Sequence, residues 1–181
     1  MSSLDQLVEG KLTDKHTVHS YIPIYEDYFK DIRDSAKEIL EIGIADGGSI
    51  LLWYEYFQNA RITGLDVTLQ WLKTDIPEDR TRKIIGNAYS EDVLNQISDT
   101  KYDVIIDDGP HTLESMKYLA QNYSKLLKDN GILIIEDVQD INWVNDIKQS
   151  FPEEFRDYVK VIDLRNVKNR YDDIMIVLRK M

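Results

Sequence analysis

The chain has 181 residues, no cysteine and a formal net charge of −11. A chain of this length fits one domain that buries roughly 70% of its unfolded surface, and its acidic balance excludes a surface built to track phosphates, so no nucleic-acid partner is expected. No apolar run approaches the roughly 20 residues that cross a bilayer, and Met1-Ser2-Ser3-Leu4-Asp5 lacks a basic-then-apolar export pattern, so the expectation is a cytoplasmic protein with no membrane partner.

Residues 1–19 carry no sustained apolar periodicity and are expected to form an N-terminal polar arm ahead of a domain spanning 20–181. His16 and His19 fall in that arm. Beyond it, Ile22, Tyr25, Tyr28, Phe29 and Ile32 recur at helical spacing with Pro23 in the first turn, which predicts a helix of about a dozen residues. Ile39-Leu40-Glu41-Ile42-Gly43 begins the first strand, and Ile50 to Phe57 reads as a helix that places Trp53 in the core. Arg61 to Val67 is the second strand and Lys83 to Ala88 the third, after which Ser90 caps a helix through Ile97. Val104 to Ile106 forms the fourth strand, His111 to Leu127 a helix ended by Asn130-Gly131, and Gly131 to Ile135 the fifth strand. A helix near Ile141 to Ser150 precedes Tyr158–Leu164 and Asp173–Arg179, which are too close in sequence for a crossover helix and should pair antiparallel. The fold class is therefore α/β: a Rossmann-like, mostly parallel sheet of seven strands with helices on both faces and a C-terminal antiparallel pair.

Two features point to a ligand site. Gly43-Ile44-Ala45-Asp46-Gly47-Gly48-Ser49 joins a strand to a helix, where glycines let backbone approach a ligand, and Asp66 follows about 20 residues later, where a carboxylate can hold ribose hydroxyls. Dinucleotide-binding proteins use such turns too. Here, however, Ala45 interrupts G-x-G-x-x-G, and no residues remain for a second substrate domain. The second feature is a pair of apolar strands ending in acids, Asp107-Asp108-Gly109-Pro110-His111 and Glu136-Asp137, at the sheet edge where open α/β folds bind ligands. Asp107 alone reads as a cap for the following helix, and Trp143 as either core or a wall of the site. The basic run Arg165 to Arg170 reads as a solvated loop.

Glu41-x-Gly43-x-x-x-Gly47, the seven strands and the terminal antiparallel pair resemble the class I methyltransferases that use S-adenosylmethionine (SAM) over residues 38–180. Ile106-Asp107-Asp108-Gly109-Pro110-His111 with Ile135-Glu136-Asp137 is similar to the metal-dependent sugar O-methyltransferases of macrolide biosynthesis, whose relatives include cephalosporin hydroxylases. The resemblance implies that Asp108, Glu136 and Asp137 hold Mg2+ or a similar divalent cation while His111 acts as base. It puts Glu41, Gly43, Gly47, Asp66, Asn87 and Asp107 on the SAM side, with Asn87 standing where relatives often carry an acid. Thr13-Asp14-Lys15…His19-Ser20-Tyr21…Tyr25-Glu26 is similar to the family's lead-in, which lies near cofactor and acceptor and makes Lys15, His19 and Tyr21 candidates for a lid over either. The implied partner is a small-molecule hydroxyl acceptor, a sugar or glycoside; a catechol-like acceptor and a non-catalytic SAM-binding subunit are the rival readings. Homo-oligomerisation is left open.

Overall fold

The computed structural model describes residues 2–180. The strands are β1 (Glu38–Ile42), β2 (Arg61–Asp66), β3 (Thr81–Ile85), β4 (Tyr102–Asp107), β5 (Leu127–Ile135), β6 (Val159–Asp163) and β7 (Ile174–Arg179). They form one seven-stranded sheet in the order β3-β2-β1-β4-β5-β7-β6. Parallel pairing runs from β3 through β5, and β7 lies antiparallel to both β5 and β6. Both the mixed sheet and its antiparallel C-terminal end match the expectation from the sequence.

The helices are α1 (Leu4–Val8), α2 (Ile22–Phe29), α3 (Gly48–Tyr56), α4 (Glu91–Ile97), α5 (Leu113–Asn122), α6 (Trp143–Ser150) and α7 (Arg165–Lys168). Strand alternation divides the core into two layers. Ile39, Val104, Ile106, Ile132 and Ile134 face the layer of α1, α2 and α3, where Trp53 is fully buried among Tyr25 and Phe29. Leu40, Ile42, Ile105, Leu133 and Ile135 face the layer of α4, α5 and α6, against which Trp143 packs. Trp143 thus belongs to the core side and lines none of the cavities described below.

Local chemistry shifts several boundaries. The helix after β4 begins at Leu113, because Thr112 caps it: Thr112 Oγ1 accepts the Ser115 N–H at 3.1 Å and Ser115 Oγ accepts the Thr112 N–H at 3.2 Å. Pro110 and His111 therefore precede the helix, and His111 takes a left-handed φ of 53°. Asp107 is not the cap. The same helix stops at Asn122, a 3-10 turn follows over Tyr123–Leu126, and β5 begins at Leu127 because Leu127 already pairs with Tyr102. Asn130, at φ 62°, is a kink inside that strand rather than a stop before it.

The N-terminal segment adds no strand, but it is packed. Leu4 and Val8 of α1 are buried, and a side chain at Gly48 would meet the Leu12 carbonyl at 2.1 Å, so residues around Leu12 lie directly on the start of α3.

Candidate active site

Period-2 alternation builds the site. Register carries on past the strands: the Asp108 N–H donates to Ile42 O at 2.9 Å and the Glu136 N–H to Asp107 O at 3.0 Å. Asp107, in line with Ile105, points to the α4–α6 layer, where Tyr89 Oη donates to its Oδ1 at 2.5 Å. Asp108 and Glu136, one step on, point the other way and become cross-strand neighbours facing α2 and the N-terminal segment.

There they meet Lys15. Its Nζ donates to Asp108 Oδ2 and to Glu136 Oε2, each at 2.6 Å, and lies 3.4 Å from Glu41 Oε1. Lys15 is 1% exposed, so its side chain anchors the segment that carries it to the site. Tyr25 Oη donates to the other Glu136 oxygen, and Ser49 Oγ donates to Glu41 Oε2 at 2.8 Å. Both oxygens of Glu136 are consequently engaged.

Charge is compressed here. Burial would release the Lys15 proton, but Asp108, Glu136 and Glu41 hold its pKa well above the ordinary value. Burial raises Glu136 strongly and lifts Glu41 to about 7 against the pull of Lys15. Asp107 is likewise pushed by burial to about 7, with the Tyr89 hydroxyl opposing. Asp108 is the exception, since Lys15 outweighs its burial and carries it below the usual carboxylate range.

The second half of the site lies beside this cluster. His111 Nε2 stands 3.7 Å from Asp108 Oδ1 and 3.6 Å from Asp137 Oδ2. One ligand atom from each of Asp108, His111 and Asp137 lies within 4.8 Å of the others. Asp137 has a left-handed φ of 54°, and Tyr21 Oη donates to its Oδ1. Burial raises Asp137, with the Tyr21 hydrogen bond opposing. His19 stacks on Tyr21 at 4.8 Å between ring centroids, and its Nδ1 lies 2.6 Å from Asp173 Oδ1.

Two cavities of about 470 and 350 Å3 adjoin the acids and share Gly43, Ala45, Asp108 and Gly109. The larger is polar, with Thr13, Asp14, Ser49 and His111 in its wall. The smaller is a slot between Leu65, Val67, Trp71 and Tyr89 with Asp66 and Asn87 at its rim. Asp66 shapes the turn: its Oδ2 accepts the Ile44 and Ala45 N–H groups at 2.8 and 3.2 Å, and its Oδ1 that of Thr68 at 3.2 Å. Gly43, at φ +92°, passes so near β4 that an added Cβ would stand 2.0 Å from Asp108 O, while Gly47, at φ +86°, precedes α3.

An apolar slot with Asp66 in its lining and a polar chamber sharing one glycine turn suit an adenosyl group joined to an amino acid. The facing oxygens of Asp108 and Asp137 suit a hard divalent cation.

Comparison with known proteins agrees with this geometry. Residues 40–138 match the family described as Methyltransferase domain. The chain belongs to that family. As a methyltransferase-domain protein it is 28% identical over 140 residues to the 8-demethyl-8-α-L-rhamnosyl tetracenomycin-C 2′-O-methyltransferase of Streptomyces olivaceus, covering 72% of this chain and 36% of that protein. It is 28% identical over 146 residues to the mycinamicin VI 2″-O-methyltransferase of Micromonospora griseorubida, covering 76% and 36%. Its fold matches the MycE methyltransferase of the mycinamycin pathway, solved in complex with Mg, SAH and mycinamycin VI, with a TM-score of 0.76 and 20% identity over 99% of this chain and 54% of that one. The chain thus spans about a third of the length of these curated relatives. No described helix of this methyltransferase domain is long and apolar enough to cross a membrane.

The structure brings together Asp108, Glu136, Asp137, His111, Lys15, His19 and Tyr21, and sets Gly43, Gly47, Asp66 and Asn87 along the two cavities or the turn beside them. Tyr89 and Asp173 take part without having been singled out from the sequence, whereas Tyr25 falls in the stretch already likened to the family's lead-in. For Tyr25 a signal existed, because a tyrosine on the buried face of a helix needs a partner for its hydroxyl. Lys168, read as a loop cation, donates its ammonium to the His19 carbonyl at 2.7 Å and so braces the N-terminal segment.

Proposed function

We propose that this chain is a SAM- and magnesium-dependent O-methyltransferase whose acceptor is a hydroxyl of a sugar or similar vicinal diol. The observation that carries the reading is the position of His111 Nε2, between Asp108 Oδ1 and Asp137 Oδ2, on the wall of the chamber formed with the glycine turn. The sugar positions in the relatives' names support the acceptor class.

When bound, SAM supplies an electrophilic methyl group and magnesium supplies Lewis acidity toward the acceptor hydroxyl. Asp108 and Asp137 would hold the metal; Glu136, expected from the sequence as a third ligand, has its oxygens engaged by Lys15 and Tyr25 and would back Asp108 through Lys15. The glycine turn and Asp66 would seat the adenosyl group, in the slot that Asn87 and Tyr89 help line. His111 Nε2 accepts the hydroxyl proton. The imidazolium that results is stabilised by the two carboxylates facing it. Tyr21, by occupying the far oxygen of Asp137, keeps the near oxygen turned toward His111.

The test is methyl-labelled SAM offered with free sugars, nucleotide-sugars, glycosides and catechols, with and without Mg2+. Label in a sugar-bearing acceptor, dependent on Mg2+, is the expected result. Label only in catechols transfers the assignment to aromatic diols, and SAM binding without label in any acceptor favours a non-catalytic subunit.

A further inference from the structure

We propose that His19, Asp172 and Asp173 form a second divalent-cation site, separate from the Asp108–His111–Asp137 cluster. The three side chains belong to residues only 3%, 5% and 0% exposed, and one ligand atom from each lies within 4.8 Å of the others. Their polar atoms are incompletely used. Asp173 Oδ1 lies 2.6 Å from His19 Nδ1, yet the other Asp173 oxygen is buried with no hydrogen-bond partner. Asp172 Oδ2 accepts from Arg170 Nη2 at 2.8 Å, and its second oxygen is equally unpartnered. A buried carboxylate oxygen without a donor carries the full cost of its lost hydration. Arg170 offsets one of the two charges, and a cation held between the acids satisfies the remaining oxygens.

The imidazole is already oriented for such a role. Tyr21 stacks on its face, Lys168 fixes its backbone carbonyl, and its outer Nε2 faces Asp14 Oδ2 at 3.8 Å. Loading would exchange the Nδ1 contact with Asp173 for a metal bond through the Nδ1 lone pair, with the ring's one N–H on Nε2, toward Asp14. One imidazole with two carboxylates suits Zn2+ or Co2+ better than Mg2+. The ion would fasten the segment around His19 to Asp172-Asp173, the residues that lead into β7. Asp137 stands between the two clusters, its Oδ1 being 3.3 Å from His19 Nδ1 and its Oδ2 facing His111. This site does not depend on the proposed methyl transfer.

Equilibrium dialysis of the full chain against Zn2+ in excess Mg2+ tests it, using His111→Asn as the parent so that the first cluster lacks its imidazole. The expected result is one zinc ion per chain in both the native protein and His111→Asn, with binding at least about tenfold weaker once Asp173→Asn is added. No uptake by the native chain overturns the proposal. So does loss of zinc in His111→Asn alone, or unchanged retention with Asp173→Asn present. Circular dichroism monitors folding, and Asp172→Asn carries the same test if Asp173→Asn does not fold. X-ray absorption of the zinc-loaded His111→Asn chain should show one imidazole among oxygens; an all-oxygen shell overturns the assignment.

Discussion

Lys15 Nζ lies 2.6 Å from Glu136 Oε2, and each side chain is 1% exposed. Breaking such a buried pair from one side leaves a charge without compensation, typically at about 3–5 kcal/mol. Lys15→Met should therefore destabilise the fold by about that much at pH 7, and by less at pH 5, where the orphaned carboxylates can take up protons. Urea denaturation at the two pH values checks this. Equal losses at both would mean that packing of the lysine stem, not its charge, is what matters.

Glu41, pushed to about pKa 7 by burial, predicts a pH limb in stability. The folded chain keeps this proton up to about pH 7, whereas the unfolded chain releases it near the ordinary glutamate value of about 4.3. Between those values the folded state binds more protons, so stability falls as pH rises through the window, by about 3 kcal/mol for this group. Asp107, Glu136 and Asp137 are raised too and deepen the limb. Glu41→Gln should flatten its share in a denaturation series from pH 4 to 8. An unaltered limb would show that Lys15 keeps Glu41 ionised throughout.

Gly43→Ala tests the turn. Its Cβ would fall 2.0 Å from a backbone oxygen of β4 at a φ that disfavours side chains, so neither rotamer change nor small relaxation relieves it. The expected outcome is a loss of folded protein, or of SAM binding where the fold survives, read by thermal unfolding and calorimetry.

SAM or S-adenosylhomocysteine should raise the melting temperature while NAD does not, because occupancy of a native-state site stabilises by mass action. Asp66→Asn should keep part of the shift and Asp66→Ala lose most of it, since asparagine retains an acceptor for the turn amides. Equal stabilisation by NAD would point to an oxidoreductase.

Chelation and His111→Asn separate metal from base. Exhaustive chelation should abolish methyl transfer, spare SAM binding, and be reversed by Mg2+. His111→Asn should lower turnover by about 10²–10⁴-fold and remove the rise of rate with pH, measured in single turnovers at saturating ligands. A loss under about fivefold would assign proton removal to solvent.

Much of this was legible because the sheet is written in alternation. Val104-Ile105-Ile106 and Ile132 to Ile135 announce buried parallel strands, and the acids at their ends can only gather at one edge. The identity of the cation between Asp108 and Glu136 was not legible. Lys15 sits in a stretch without apolar periodicity, and nothing local reveals that a polar segment will insert an ammonium among carboxylates far along the chain. The start of α5 was misread for a different reason: Pro110 favours a first helical turn, but the reciprocal Thr112–Ser115 bonds give a better cap two residues later.

The pairing of Lys15 with Glu136 spans 121 residues, and this has a bearing on how the protein is made. A ribosome adding about 5–20 residues per second leaves the lysine waiting on the order of ten seconds before its last carboxylate partner exists. During that interval α3 and the first strands can form, yet the segment around Leu12 is anchored only through the Lys15 contacts with Glu41 and, later, Asp108, without the Glu136 bond. Nascent chains halted before β5 should accordingly be cut by protease near residues 10–19, and completed chains should resist.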